Sequence, residues 1–231
     1  MIQNQPSDDR SLRKKPPENV TQPPTFLQLG ILVLDGSGSM TEPSKNKITK
    51  GQEVSIAVKD LFSRFKASTL RNNFRFAVVC YDNTAKLEMD VTALKDIDEN
   101  RSYDPTKGLE GTTSIAEGLK VAKQISDKFL TLYKDGELPR KVLVLLMTDG
   151  VDMTELETIA TANTLKTNPK IQIASCFFET LNAEVADMNL AVGFLQSICS
   201  DTGLFAKVHD ADSLRGFFER SMSNVAGKKL V

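Results

Sequence analysis

The sequence predicts an α/β fold: a doubly wound, mostly parallel six-stranded sheet with one antiparallel edge strand and helices on both faces. Three observations predict it. Strand-like and helix-like segments alternate from Phe26 onward, the signature of a parallel sheet wrapped by helices. The runs Leu27 to Leu34 and Lys141 to Met147 are almost wholly apolar, as strands covered on both faces are. Between them Leu87, Met89 and Val91 alternate with charged residues, the pattern of a half-exposed edge strand.

The elements follow in order. Residues 1–24 hold five of the nine prolines (Pro6, Pro16, Pro17, Pro23, Pro24) and few apolar residues, so they are expected to form a disordered tail. The domain is expected to span 25–227. Its first strand runs over about 26–35. A helix follows at about 48–67, with Val54, Ala57, Val58, Leu61, Phe62 and Phe65 on one face, at three- and four-residue spacing. Phe74 to Tyr81 reads as the second strand, and Asp82-Asn83 as the turn into the antiparallel edge strand. A loop with Pro105, Gly108 and Gly111 leads to a helix at about 114–132 that buries Ile115, Leu119, Ala122, Ile125 and Phe129. Then come a strand at 141–147, a helix at about 154–166, a strand from Ile171 to Phe177, a helix at about 184–199 and a short strand at about 203–208. Asp212 is the expected N-cap of a last helix presenting Leu214, Phe217, Phe218 and Met222, with a frayed end from Gly227 to Val231.

The functional signal lies at the ends of two strands. The first runs into Asp35-Gly36-Ser37-Gly38-Ser39. In an extended chain alternate residues share a side, so Asp35, Ser37 and Ser39 are expected to converge. Gly36 and Gly38 leave room for close approach. The strand at 141–147 ends in Thr148-Asp149-Gly150. In open α/β sheets ligands bind outside the carboxyl ends of the strands, where Asp35 and Asp149 both stand. Clustered hard oxygens suit a hard divalent cation, Mg²⁺ or Mn²⁺.

DGSGSM at 35–40 resembles the D-x-S-x-S signature of von Willebrand factor type A (VWA) domains, whose sheet is Rossmann-like. Gly111-Thr112-Thr113-Ser114 resembles the family's threonine loop, with Thr113 at the matching position, and Asp149 in MTDG matches its last acid. Thr112 and Ser114 are the competing hydroxyls in that loop. The resemblance covers residues 26–226 and implies a metal-ion-dependent adhesion site (MIDAS). It makes Ser37, Ser39 and Thr113 direct metal ligands, and Asp35 and Asp149 direct or water-mediated ones. It further implies a protein partner that completes the metal's shell with an Asp or Glu carboxylate, with no bond broken. The short connection before GTTS and the closing FFERSMSN segment resemble intracellular bacterial VWA proteins of the tellurite-resistance type. That likeness implies a stress-response or signalling complex.

Composition sets bounds. The 231 residues suffice for one domain with a sizeable core. A net charge of −1 gives no argument for nucleic acid. Arg13-Lys14-Lys15 reads as a solvated tail cluster. The first 25 residues contain no apolar signal-peptide core, and no run reaches the length of a membrane span. A cytoplasmic protein with no membrane contact is therefore expected, with Cys80, Cys176 and Cys199 as free thiols.

Catalysis finds little support. His209 is the single histidine and reads as a surface or capping residue. No G-x-S-x-G elbow or P-loop motif occurs. The rival reading is a Mg²⁺-dependent phosphatase of the haloacid-dehalogenase type with Asp35 as nucleophile. That chemistry needs a second acid two residues on, and Ser37 stands there. A non-enzymatic, cation-dependent binding module is the expectation. Glu42 and Asp152 lie beside the predicted site and read as ordinary exposed acids.

Overall fold

A computed structural model describes residues 23–109, 111–132, 138–179 and 185–227. The predicted tail over 1–24 lies outside these residues apart from Pro23 and Pro24. The described chain forms β1 (Leu27–Asp35), α1 (Lys50–Ala67), β2 (Phe74–Tyr81), β3 (Ala85–Ala93), α2 (Ile115–Thr131) and β4 (Arg140–Thr148). It continues through α3 (Glu155–Lys166), β5 (Ile171–Phe178), α4 (Val185–Ile198), β6 (Phe205–Val208) and α5 (Ala211–Ala226). The sheet order is β3-β2-β1-β4-β5-β6. All pairings are parallel except β2 with β3. This is the doubly wound α/β sheet the sequence predicts.

Each side of the sheet is covered. Leu32, Leu34, Val78, Leu143 and Leu145 face α1 and α5, with Val58, Phe62, Phe218 and Met222 packed over them. Leu29, Ile31, Val33, Val144 and Ile173 face the other way, under Leu119 and Ile125 of α2, Leu165 of α3 and Leu195 of α4. This two-sided cover is why β1 is buried along its whole length and reads as a continuous apolar run. Phe62 packs edge-to-face on Phe76 and Tyr103, with ring centroids 5.0 and 5.3 Å apart. Cys80, Cys176 and Cys199 are buried free thiols. Among the described residues no helix is long and apolar enough to cross a membrane.

Two details depart from the sequence reading. Leu87, Met89 and Val91 do not share one face of β3. The pairing slips between Phe76 and Val78 and again between Val78 and Val79. Met89 therefore enters the α1/α5 core, while Val91 packs on the α2 side and Leu87 is 44% exposed. A bulge inserts an unpaired residue and flips the side chains that follow. The second departure is the cap of α5. Asp210, not Asp212, is the N-cap: its carboxylate accepts from the Ser213 amide in a capping box, while Asp212 pairs with Arg215. A reciprocal partner three residues on is what makes a cap strong, and Ser213 supplies it to Asp210. At the other end Gly227 closes α5 in the left-handed region (φ 65°). The rest of the predicted frayed end lies outside the described residues.

Candidate metal centre

The chain leaves β1 toward β2 and β3 on one side, and returns through β4 to β5 and β6 on the other. The switch point is thus the crevice between β1 and β4, where a ligand is expected in this architecture. Asp35 ends β1 and Asp149 directly follows β4.

Beyond Asp35 the Gly36 amide donates to the Tyr81 carbonyl at 2.7 Å, so the chain stays beside β2 for one more residue. The Ser37 amide then donates to Asp35 Oδ1 at 2.8 Å. From Gly38 to Thr41 the backbone makes a 3₁₀ turn, anchored by buried Met40 and by the Gly38 amide on the Gly111 carbonyl. The predicted extended spacing ends at Ser37. An extended chain would separate the two serines by about 6.6 Å; the turn draws Ser37 Oγ and Ser39 Oγ to 3.2 Å.

Ser39 Oγ donates to Asp149 Oδ1 at 2.6 Å. Its one proton is used there, so Ser37 is the donor in the serine pair. Thr148 Oγ1 donates to Asp35 Oδ2 at 2.5 Å. Both oxygens of Asp35 are occupied and the residue has no exposed surface. Burial, and next the charge of Asp149, push its pKa from 3.8 up to about 7, against hydrogen bonds from Thr148 and Ser37 that pull it down. Buried, hydrogen-bonded through both oxygens and with a raised pKa, Asp35 is poorly placed to attack a phosphoryl group, and the haloacid-dehalogenase reading is not favoured.

Thr113 lies on the loop before α2, 7% exposed. Its carbonyl accepts from the Met153 amide at 3.0 Å. The loop is held to the hairpin by Asp82, which accepts from the Gly111 amide through Oδ2 and from the Ser114 amide through its carbonyl. The threonine loop lies against the Asp149 loop: a Cβ on Gly150 would stand 3.4 Å from Thr113 Oγ1, an ordinary contact distance. Of the competing hydroxyls, Thr112 is exposed and Ser114 Oγ is engaged with Thr154 Oγ1 at 3.1 Å. Hydrogen bonds join Ser37, Ser39 and Asp149 to one another and Asp35 to the Ser37 amide. Thr113 is brought beside them by main-chain contacts.

The sequence reading missed Lys50 and misjudged the burial of Asp152. Lys50, 1% exposed, places its ammonium 2.6 Å from Asp149 Oδ2 and 3.0 Å from Glu42 Oε2. Its helical position was a usable signal, since Lys50 lies four residues before Val54 on the buried stripe of α1. Asp152 is not an exposed acid. It is 5% exposed and accepts from the Ile115 amide, from Thr154 and from Thr158, tying the Asp149 loop to the start of α2. Glu42 is exposed as expected, but it is engaged with Lys50. Among the described residues no group of three or more His, Cys, Asp or Glu is placed to hold a metal. The donors here are hydroxyls with two acids, a hard-oxygen set.

The von Willebrand factor type A domain profile matches residues 31–220. No curated protein is significantly similar in sequence. Solved structures share the fold. The pilus adhesin SpaC from Lactobacillus rhamnosus GG superposes with a TM-score of 0.69 at 12% identity, covering 89% of this chain and 31% of its own. The vWF domain of the type V pili tip protein from Porphyromonas gingivalis gives 0.63 at 13% identity, covering 87% of this chain and 96% of its own. Proximal thread matrix protein 1 from the mussel byssus, with a zinc-occupied MIDAS motif, gives 0.57 at 19% identity, covering 87% of this chain and 46% of its own. This chain spans only about a third of the adhesin. With a profile match over four fifths of its length and the sheet order to go with it, the chain belongs to the von Willebrand factor type A domain family.

Proposed function

We propose that the protein is a divalent-cation-dependent protein-binding module, in which Ser37, Ser39 and Thr113 hold Mg²⁺ or Mn²⁺ while Asp35 and Asp149 orient them. One observation carries the reading: two serine hydroxyls 3.2 Å apart at the switch-point crevice, backed by two buried carboxylates. Adjacent ligands of an octahedral ion with bonds of about 2.1 Å lie about 3.0 Å apart, so the serine pair fits one edge of such a shell. The carboxylates are already satisfied by hydrogen bonds, which fits them as orienting groups behind neutral ligands. A cation held mainly by hydroxyls stays electrophilic and favours a carboxylate from outside. The mussel protein's zinc-occupied MIDAS supports a divalent ion in this kind of site. Exposed Val151, Met153 and Leu156 flank the Asp149 loop and offer an apolar contact surface beside the metal. The tellurite-resistance likeness extends the proposal to a cytoplasmic stress-response or signalling complex.

Isothermal titration of metal-stripped protein with Mg²⁺ and Mn²⁺ tests the reading. One saturable site is expected, and Ser39→Ala is expected to weaken it at least about tenfold, the loss of one ligand worth about 1.4 kcal/mol. Equal binding by the two proteins would place the ion elsewhere.

A further inference from the structure

Lys50 is the one feature of the site that the metal-binding reading leaves unused. It is an ammonium donor sealed inside the cluster: 1% of the residue is exposed, and its principal partner Asp149 has no exposed side-chain surface. The placement is built by the local chain. The segment after the 3₁₀ turn folds back through a bridge between Pro43 and Thr49. The Lys50 amide donates to the Glu42 carbonyl at 3.0 Å. Thr49 caps α1 with a capping box through Gln52. Lys50 is thereby fixed in the first helical turn, with its side chain on the buried stripe and its ammonium under the Asp149 loop.

The consequence is a matter of charge. The two carboxylates would together present −2 to a divalent ion, and the loaded site would be neutral. Lys50 contributes +1 inside the same low-dielectric pocket, so the loaded site carries a net +1. Glu42 offsets Lys50 only weakly, because its side chain is 62% exposed and water screens it. Lys50 also occupies Asp149 Oδ2, while Ser39 occupies Oδ1. Asp149 is left to act on the ion through Ser39.

Resting on the metal-site reading above, we propose that Lys50 is a resident cation and positioning residue of this site: it weakens binding of the metal alone and couples metal binding to an incoming carboxylate. The partner's acid then does more than fill an open position. It neutralises the charge that Lys50 leaves on the loaded site, so the two ligands bind better together than singly, which is thermodynamic coupling between them.

The test measures Mn²⁺ binding by electron paramagnetic resonance, alone and with acetate as the carboxylate probe, against chloride at the same ionic strength. The wild type is expected to bind Mn²⁺ weakly and to tighten with acetate. Lys50→Gln is expected to bind Mn²⁺ alone at least about 100-fold more tightly, since a unit charge about 6 Å from a divalent ion at an effective dielectric near 20 is worth up to about 10⁴-fold, and to lose the acetate enhancement. Lys50→Arg keeps the charge and should restore the wild-type pattern, which a purely structural role would not require. Unchanged or weaker Mn²⁺ binding in Lys50→Gln, or an undiminished acetate effect, overturns the proposal. Should Lys50→Gln fail to fold, Lys50→Met, which keeps the apolar stem on the buried stripe and removes the charge, decides by the same readout. Tighter Mn²⁺ binding without acetate enhancement is expected, and unchanged binding or an undiminished acetate effect overturns the idea. If folded wild type and folded Lys50→Gln both bind no Mn²⁺, the metal-site reading itself fails; equal binding by the two removes only the role of Lys50.

Discussion

Asp35 shows what a buried acid does to a fold. With its pKa raised from 3.8 to about 7 by burial and by Asp149, the folded protein keeps a proton that the unfolded chain has released. The unfolded state therefore binds fewer protons between these values, and stability falls as pH rises. The contribution is complete below about pH 4 and is lost as pH passes about 7; the gap corresponds to roughly 4 kcal/mol. The thermal midpoint of metal-free protein is expected to drop from pH 5 to pH 8, and Asp35→Asn should remove most of that slope. A variant with the wild-type slope would assign the pH dependence to other groups. Added Mg²⁺ favours the ionised carboxylate, so it should flatten the wild-type profile.

The turn that follows β1 is the element on which the site depends. Its geometry needs Gly36, because a Cβ there would run into the Pro105 carbonyl and the Leu109 side chain. Gly36→Ala is expected to cost about 1–3 kcal/mol, the usual range for overpacking. It should also weaken Mn²⁺ binding, because the Ser37 amide and hydroxyl move with the displaced strand end. Chemical denaturation and metal titration together check this; normal metal affinity in a destabilised variant would show that the serine pair is set elsewhere. The same sensitivity to local backbone explains the departures in β3 and α5. A bulge moves Met89 to the opposite core, and a serine three residues on moves the cap to Asp210. Neither alters the composition of the segment that an apolar pattern reads.

At the scale of the molecule, one buried acid links the site loop to the last helix. Glu53, 1% exposed, accepts from Ser44 Oγ at 2.7 Å and Asn46 Nδ2 at 2.8 Å through Oε1. Its Oε2 accepts from the Ala211 amide at 2.9 Å, in the first turn of α5. Glu53→Ala leaves three donors without this acceptor, and a loss of about 3 kcal/mol is expected. Faster amide exchange confined to residues 44–46 and the start of α5 should accompany it. Protection unchanged at Ala211 would show that α5 is held by its apolar face alone.

Helices and strands were legible because their signals are local. The apolar runs of β1 and β4 and the stripes of α1 and α2 repeat at the periods of a strand or a helix, so burial pattern and sequence pattern coincide. Asp35, Ser37 and Ser39 were legible because they lie within five residues, and Asp149 because it ends an apolar run. The tertiary structure alone decided how these groups are used. It set the 3₁₀ turn that closes the serines to 3.2 Å, and it placed Asp82 and Asp152 as staples of neighbouring loops. It brought the Lys50 ammonium to a carboxylate 99 residues away. No periodicity encodes such a contact, because the charge that a buried group meets is set by which loops the sheet order places side by side.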